Sequence, residues 1–389
     1  MRVHHIIASL NIDTGGPAFT VTRINQALNA AGVQSDIHSI DYDRFGPIAD
    51  PAADPFPRAG WMTRSFRGWS PEFRRQLNHS LLQNPGIVHN HGCWMAPNRD
   101  ARIFAQKHQL PLIISPRGML ESWSLQFHFL KKKLAWLAYE QKNLQAASAF
   151  HATSKSEAEA LRKLGLRQPV YLIPNGVDPP TEPVTVTPPE MIPEAAHSRF
   201  ILFLSRLHPK KGLNLLLKSW ETLHTLYPET HLIIAGPDRD DYRGTLTQQM
   251  PQISNHPQVH WIGPVRGESK SWLLTHARFL ILPTYSENFG QVIAESLAHR
   301  TPVLTTDRTP WKELAQRGCG WVISPDQQQL SEAMSQALAT ADAVLQQMGS
   351  QGHQWMEQEF SWSQIGRSMH AAYRHILGTG PAPDFVITT

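Results

Sequence analysis

Two glutamates eight residues apart, Glu287 and Glu295, bracket the stretch PTYSENFGQVIAE that runs from Pro283 to Glu295. Paired carboxylates suggest acid and base catalysis, but eight residues of helix would separate them by about 12 Å. That is beyond the roughly 5–9.5 Å of a glycosidase pair. The spacing suits carboxylates that accept hydroxyl hydrogen bonds at the two ends of a long ligand. A nucleotide sugar, with hydroxyls at both ends and phosphates between, is such a ligand. The loop ends a strand and opens an amphipathic helix, so Asn288, Phe289, Gly290 and Gln291 offer backbone N–H groups at a helix N-terminus, where a diphosphate is favoured. Gly290 has no side chain to hold a ligand away. A capped surface helix with solvated glutamates is the competing reading.

Other chemistry-bearing residues are weaker signals alone. The run SRLHPKKG from Ser205 to Gly212 places Arg206 and Lys211 on what reads, by itself, as a solvated basic turn. Gly15-Gly16-Pro17 follows the first strand and opens a helix, which lets backbone approach a ligand, yet it is not the dinucleotide G-x-G-x-x-G pattern. His89 and His91 lie at a strand end without a third ligand nearby in sequence, so no metal is expected. Cys93 and Cys319 form no metal or disulfide spacing and read as two small buried residues.

The elements that must position these residues alternate strand and helix, the pattern of parallel sheets wrapped by helices. Strands are expected at Val3–Leu10, Ser35–Ile40, Gly86–His89, Leu112–Ser115, Ala149–Ala152 and Val170–Ile173, with a helix over Pro17–Ala31. The proline-rich stretch 179–198 breaks the pattern and reads as a linker. Strands then recur at Phe200–Leu204, His231–Ala235, Val259–Ile262, Phe279–Leu282 and Pro302–Thr305, with helices over Gly212–Leu226, Glu268–His276 and Gln291–His299. Helical spacing over Gln327–Gln347 and Trp362–Leu377 follows, and Thr379–Thr389 is expected to fray. The resulting division is 1–178, linker 179–198, 199–360, a C-terminal helix 361–378 and a tail 379–389. At 389 residues the chain exceeds one ordinary core, which supports two domains. Ligands of such open sheets bind at the carboxyl ends of the strands.

Charge is uneven. From Met1 to Asp178 there are 20 Lys and Arg against 13 Asp and Glu, while the remainder carries 16 against 19. The first half has a basic surface, but no nucleic-acid-binding motif accompanies it, and no nucleic-acid partner is expected. No apolar run approaches the ~18 residues of a membrane span. The apolar stretch Ile6–Leu10 is too short for a secretion signal, so the expected location is the cytoplasm.

Taken in order, SENFGQVIAESLAHRTPVLTT, SRLHPKKG, IPNGVD from Ile173 to Asp178 and AGP from Ala235 to Pro237 resemble the motifs of the GT4-type family of retaining glycosyltransferases. The resemblance runs from Gly15 to Trp362. It implies the GT-B fold: α/β, two Rossmann-like doubly wound domains facing a central cleft, with the C-terminal helix crossing back to the first. It places Glu287 on the hydroxyls of the transferred sugar and Glu295 on the ribose. Arg206 and Lys211 then bind the diphosphate, a role suited to fixed cations aimed at developing charge. Asn288, Phe289, Gly290 and Gln291 also fall in the donor site, Gly15 and Gly16 close over the donor phosphate and sugar, and Val265 meets the base through its backbone. His91 contacts sugar or acceptor. Arg117 stands in SPRGML where relatives often carry a histidine, which substitutes a permanent cation suited to an anionic acceptor.

The activity implied is retaining transfer of a hexose-type sugar from a nucleotide diphosphate sugar to a hydroxyl of a saccharide or lipid-linked saccharide, in cell-surface polysaccharide or lipopolysaccharide assembly. No cofactor or metal is required, because Arg206, Lys211 and the helix start supply the compensating charge. Alternatives are a nucleotide-sugar epimerase or a phosphorylase-like enzyme on the same fold, or an inactive nucleotide-sugar-binding protein. The presence of Glu287, Glu295, Arg206 and Lys211 together disfavours the last. Finally, Gly60–Arg75 and Phe127–Tyr139 mix cations with aromatics and leucines. Such segments can lie on anionic membrane surfaces, which would put the protein at the inner face of the cytoplasmic membrane; helices with aromatic core faces and solvated basic faces are the equal alternative.

Overall fold

Strands buried on both faces of a parallel sheet read as continuous apolar runs, and Phe200–Leu204 (FILFL) is fully of that kind. The computed structural model describes residues 1–42, 46–49, 57–126, 129–180, 187–193 and 199–388. The linker stretch 179–198 therefore lies mostly outside the described residues, as do positions 127 and 128 of the second basic segment. The chain divides into two units, Met1–Gly176 with Trp362–Thr389, and Val177–Ser361.

In chain order the first unit contains β1 (Arg2–Ile7), α1 (Gly16–Ala30), β2 (Gln34–His38), α2 (Trp61–Ser65), α3 (Pro71–Gln83), β3 (Ile87–His91), α4 (Ala96–Lys107) and β4 (Leu112–Ser115). It continues with α5 (Ser122–Gln126), α6 (Phe129–Ala135), a π-helical turn over Trp136–Glu140, α7 (Gln141–Gln145), β5 (Ala149–Ala152), α8 (Lys155–Lys163) and β6 (Val170–Leu172). The second contains β7 (Phe200–Leu204), α9 (Leu213–Leu223), β8 (His231–Ala235), α10 (Tyr242–Gln249), α11 (Pro251–Ser254), β9 (Val259–Gly263), α12 (Gly267–His276) and β10 (Leu280–Leu282). After them come α13 (Gln291–Ala298), β11 (Val303–Thr306), β12 (Gly320–Ile323), α14 (Gln327–Ala339) and α15 (Asp342–Glu359). The chain then returns to the first unit as α16 (Trp362–Ile376) and β13 (Val386–Ile387).

The first sheet runs β13-β6-β5-β4-β3-β1-β2 and the second β12-β11-β10-β7-β8-β9. Pairings are parallel except β13 with β6. Two α/β units with parallel sheets are thus what the alternation implied. The tail differs from expectation: Val386 and Ile387 pair with Tyr171 and Val170, because the edge of β6 offers unpaired backbone groups that a short strand satisfies. The helix expected over Gln327–Gln347 is two helices, α14 ending at Thr340 in an extended conformation (φ −66°, ψ 131°) before α15. The strand β12 and several first-unit helices were not anticipated.

Period-two alternation divides the first sheet's faces. Val88, Leu112, Ile114, Phe150 and Val170 face one core with Phe73, Leu77, Phe104 and Leu161. Val3, Ile87, Ile113, Ala149 and Tyr171 face the other, with Ile24 and Leu28 of α1 and Trp362, Ile365, Met369 and Tyr373 of α16. Trp362 begins that return, and its ring lies so close to Gly176 that a Cβ there would fall 2.5 Å from it. Helix starts are capped where sequence says they should be: Ser70, Ser154 and Asp326 accept from the backbone N–H three residues on.

Replacing Trp362 by alanine removes this anchor from a site only 8% exposed. The expected result is a loss of about 3–5 kcal/mol in unfolding free energy, read by urea denaturation; an unchanged midpoint would mean the returning helix contributes little.

Candidate active site

In the second unit the chain moves from β7 outward through β8 and β9, then begins again on the other side with β10. In open α/β sheets ligands bind outside the carboxyl ends of the strands that flank such a reversal, here β7 and β10. The loop after β7 carries Arg206 and Lys211, and the loop after β10 carries Glu287. These loops are stitched together: the Tyr285 N–H and the Thr284 hydroxyl both donate to the Lys210 carbonyl, at 2.8 and 3.0 Å. Gly212 makes the approach possible, since it has φ +73° and a Cβ there would sit 1.9 Å from the Pro283 carbonyl oxygen. The result is an ion pair, Lys211 Nζ to Glu287 Oε2, between side chains 12% and 15% exposed. Exposed Arg206 makes no hydrogen bond or ion pair among the described residues. Burial, and then the nearby Arg206, lower the pKa of His208, whose ring accepts from the Lys210 N–H.

Helix α13 starts after Gly290, which is its N-cap with φ +78°. Glu287 therefore lies in the preceding loop, and a separation computed from helical rise over all eight residues does not apply. The Phe289 side chain is buried against Trp311, whose indole N–H donates to the Phe289 carbonyl. Only the backbone of Phe289 is placed to meet a ligand. Glu295, one turn into α13, accepts from Lys270 Nζ at 2.7 Å. Val265 follows β9 and packs, partly buried, on the core.

In the first unit, the face of the sheet that packs on α1 and α16 turns polar at its carboxyl end. His5 pairs in register with His89, and His91 with Ser115. With His151 these residues form a buried layer. Its proton order follows from its ends. Arg117 can only donate, so His91 Nδ1 accepts from it at 3.1 Å. His91 Nε2 must then donate to His5 Nδ1 at 2.8 Å, leaving the His5 Nε2–H without an acceptor among the described residues. At the other end the Ile173 carbonyl fixes a proton on His151 Nε2 (2.8 Å). Ser115 then donates to His151 Nδ1 (2.6 Å), His89 Nε2 donates to Ser115 (2.8 Å), and Tyr373 of α16 donates to His89 Nδ1 (2.7 Å).

The sequence offered no third ligand beside His89 and His91, but the fold supplies one: nitrogens of His5, His89 and His91 lie within 4.8 Å of one another. The guanidinium against His91 opposes a cation there, and the hydrogen-bonding order accounts for the cluster. Arg117 itself sits at φ +57°, donates to Asn175 Oδ1 at 2.9 Å and keeps an unpartnered buried Nε. Burial pushes its pKa down to about 10, so it remains a cation. No carboxylate forms an ion pair with it among the described residues. His91, 2% exposed with both ring nitrogens engaged, supports Arg117, which keeps an unused donor at Nε. Gly15 (φ +110°) caps α1 and Gly16 begins it.

His5, His151 and Tyr373 were not singled out from sequence, and Ser115 and Asn175 entered only as members of SPRGML and IPNGVD, without a role of their own. For His5, Ser115 and His151, polar residues inside otherwise apolar buried strands were the available signal. Among the basic segments, α6 and the turn after it expose Leu130 (74%), Leu134 (70%) and Leu137 (65%), one stripe at helical spacing, flanked by exposed Lys131 and Lys133. Their leucines do not form a core face. Trp61 and Phe66 of the other basic segment are also exposed, and Arg67 beside them donates to the Tyr139 hydroxyl at 3.4 Å. No described helix is long and apolar enough to cross a membrane.

A family model described as Glycosyltransferase Family 4 matches residues 14–180, and one described as Glycosyl transferases group 1 matches residues 190–355. The chain is 24% identical over 319 residues to a D-inositol 3-phosphate glycosyltransferase of Jonesia denitrificans, covering 76% of this chain and 74% of that one. It is 24% identical over 347 residues to a GDP-mannose:cellobiosyl-diphosphopolyprenol alpha-mannosyltransferase of Xanthomonas campestris, covering 87% of each. Among solved structures, a sucrose-phosphate synthase from Thermosynechococcus elongatus superposes with a TM-score of 0.70 at 19% identity, over 97% of this chain and all of that one.

The histidine layer has a consequence for acid stability. Burial first, with the neighbouring Arg117 adding to it, lowers His5 and His151 from 6.5 to about 3, and burial also holds His89 and His91 well below the ordinary value. As pH falls below about 6.5 the unfolded chain takes up protons that the folded layer refuses until about 3, so unfolding is favoured across that window. Urea midpoints should be level above pH 6.5 and fall steadily below it, each histidine contributing on the order of 1 kcal/mol per pH unit. A midpoint flat from pH 7 to 4 would contradict the neutral layer.

Proposed function

The chain belongs to the GT4-type glycosyltransferases, and from that premise we propose that it is a retaining enzyme transferring a hexose-type sugar from a nucleotide diphosphate sugar to a saccharide or lipid-linked saccharide. The observation that carries this reading is the pairing of Lys211 with Glu287, beside unpaired Arg206, on the loops after β7 and β10. A carboxylate that accepts sugar hydroxyls, two cations for a diphosphate, and the start of α13 are the parts such a transfer requires. In the proposed step the acceptor oxygen bonds to the anomeric carbon on the face that the nucleotide leaves. The bond from that carbon to the phosphate oxygen breaks, its electron pair stays on the phosphate, and the acceptor proton passes to that oxygen. Arg206 and Lys211 stabilise the charge as it develops. No metal or further cofactor is needed for this balance.

Glu287 would hold the sugar, Glu295 the ribose, and the backbones of Val265, Asn288, Phe289, Gly290 and Gln291 the base and phosphates, with Gly15 and Gly16 closing over the donor. The first unit would receive the acceptor, with Arg117, backed by His91, meeting an anionic group on it. A relative named for a diphosphopolyprenol-linked acceptor supports a lipid-linked one here, and with it a role in cell-surface polysaccharide or lipopolysaccharide assembly. The exposed leucine stripe flanked by Lys131 and Lys133 supports contact with an anionic membrane, at the inner face of the cytoplasmic membrane.

Two experiments test this. Thermal-shift measurements against UDP-, GDP- and ADP-sugars should show stabilisation by one class, and Arg206→Met should lower kcat with that donor about 10²–10³-fold; stabilisation by none would remove the reading. A Leu130→Ser, Leu134→Ser, Leu137→Ser variant should stop cosedimenting with phosphatidylglycerol vesicles while keeping transfer to a soluble acceptor. Equal cosedimentation of variant and parent would argue against the membrane face.

A further inference from the structure

Helix α12 is tied to α13 by two polar links. Lys270 Nζ donates to Glu295 Oε1 at 2.7 Å. One residue on, the Ser271 hydroxyl donates to His299 Nε2 at 2.9 Å, and His299 Nδ1 donates to the backbone carbonyl of Glu295 at 2.7 Å. Both links converge on one residue. The order is forced, since a carbonyl only accepts and so fixes the histidine proton on Nδ1.

The lysine and glutamate side chains are 31% and 22% exposed, and no other hydrogen bond to the Glu295 carboxylate is made among the described residues. Lys270 is therefore what fixes the carboxylate's rotamer, and it does so through one oxygen. Oε2 is left to accept from something else. The lysine also sits in a particular place along the chain. Val265 lies between Gly263 and Gly267, which have φ +73° and +54°, and Gly267 is the first residue of α12. The segment that presents the Val265 backbone thus runs directly into the helix turn that grips Glu295.

We propose that Lys270 is a positioning residue for nucleotide recognition: it holds Glu295 so that Oε2 accepts from a ribose hydroxyl, and it thereby sets the preference for a ribonucleotide over a deoxyribonucleotide. This rests on the assignment of Glu295 to the ribose. A carboxylate held in place loses little freedom when it accepts a hydroxyl, whereas a free glutamate side chain must be ordered at that moment. Hydrogen bonds to charged acceptors are the stronger ones. Removing the hydroxyl should therefore weaken binding to the parent, removing the holding lysine should abolish that difference, and arginine at 270 should retain it.

The measurement is the ratio of dissociation constants, by isothermal titration calorimetry, of UDP, GDP and ADP against their 2′-deoxy and 3′-deoxy counterparts, for the parent, Lys270→Met, Lys270→Arg and Glu295→Ala, each checked for an unchanged melting temperature. The parent should prefer the ribonucleotide by about tenfold or more. Lys270→Met should bring the ratio close to one and Lys270→Arg should leave it near the parent's. A general packing role for Lys270 would weaken ribo and deoxy ligands alike and leave the ratio intact, which would overturn the proposal. If Glu295→Ala collapses the ratio and Lys270→Met does not, the lysine's role alone fails. If Glu295→Ala also keeps the ratio, the ribose assignment beneath it fails.

Discussion

A lysine and a glutamate held together at low exposure, Lys211 and Glu287, are the constraint around which the second unit's candidate site is built. Charges taken partly out of water must be paired or hydrogen-bonded, and pairing these two requires the loops after β7 and β10 to touch. That in turn requires Gly212 to have no side chain and the Lys210 carbonyl to take two hydrogen bonds from the facing loop. The parallel sheet places both loops at the same end, where the strand order reverses. The same arrangement repeats beside it: Gly236, after β8, has φ +144°, and a Cβ there would lie 1.8 Å from the Ser205 carbonyl oxygen.

The first unit meets a different requirement with different chemistry. Its polar layer buries four imidazoles, a serine and a tyrosine, and keeps the imidazoles neutral by giving each ring a donor or an acceptor of fixed sense. A cation, Arg117, terminates one end and a carbonyl the other. Uncharged imidazoles cost far less to bury than charged ones, so the layer can support an arginine that forms no ion pair among the described residues and feels Glu157 only at a distance. The returning helix α16 completes this arrangement, because Tyr373 is the donor that His89 requires.

Much of this was legible in the amino-acid sequence. Strands Leu112–Ser115, Ala149–Ala152, Phe200–Leu204 and His231–Ala235 were located to the residue, because short apolar runs bounded by polar residues report local backbone geometry. The motifs around Arg206, Lys211, Glu287 and Glu295 were equally local, each contained within a single loop and the start of a helix. Where local signals were weak the reading erred. The tail residues Val386 and Ile387 form a strand only because β6 has a free edge, and Gln327–Gln347 hides a break at Thr340 inside continuous helical spacing.

Sequence by itself determined the two α/β units, the family, and which residues carry charge and glycine flexibility at the strand ends. Tertiary structure decided which of them meet. His5 and His91 are 86 residues apart and His89 and Tyr373 are 284 apart, yet each pair is hydrogen-bonded. Lys270 and Glu295 lie on different helices that only packing brings together. Periodicity records the conformation of neighbouring residues. It carries no record of strand register, of which helix covers which face, or of which buried polar atom finds a partner, because those depend on the packing of the whole unit.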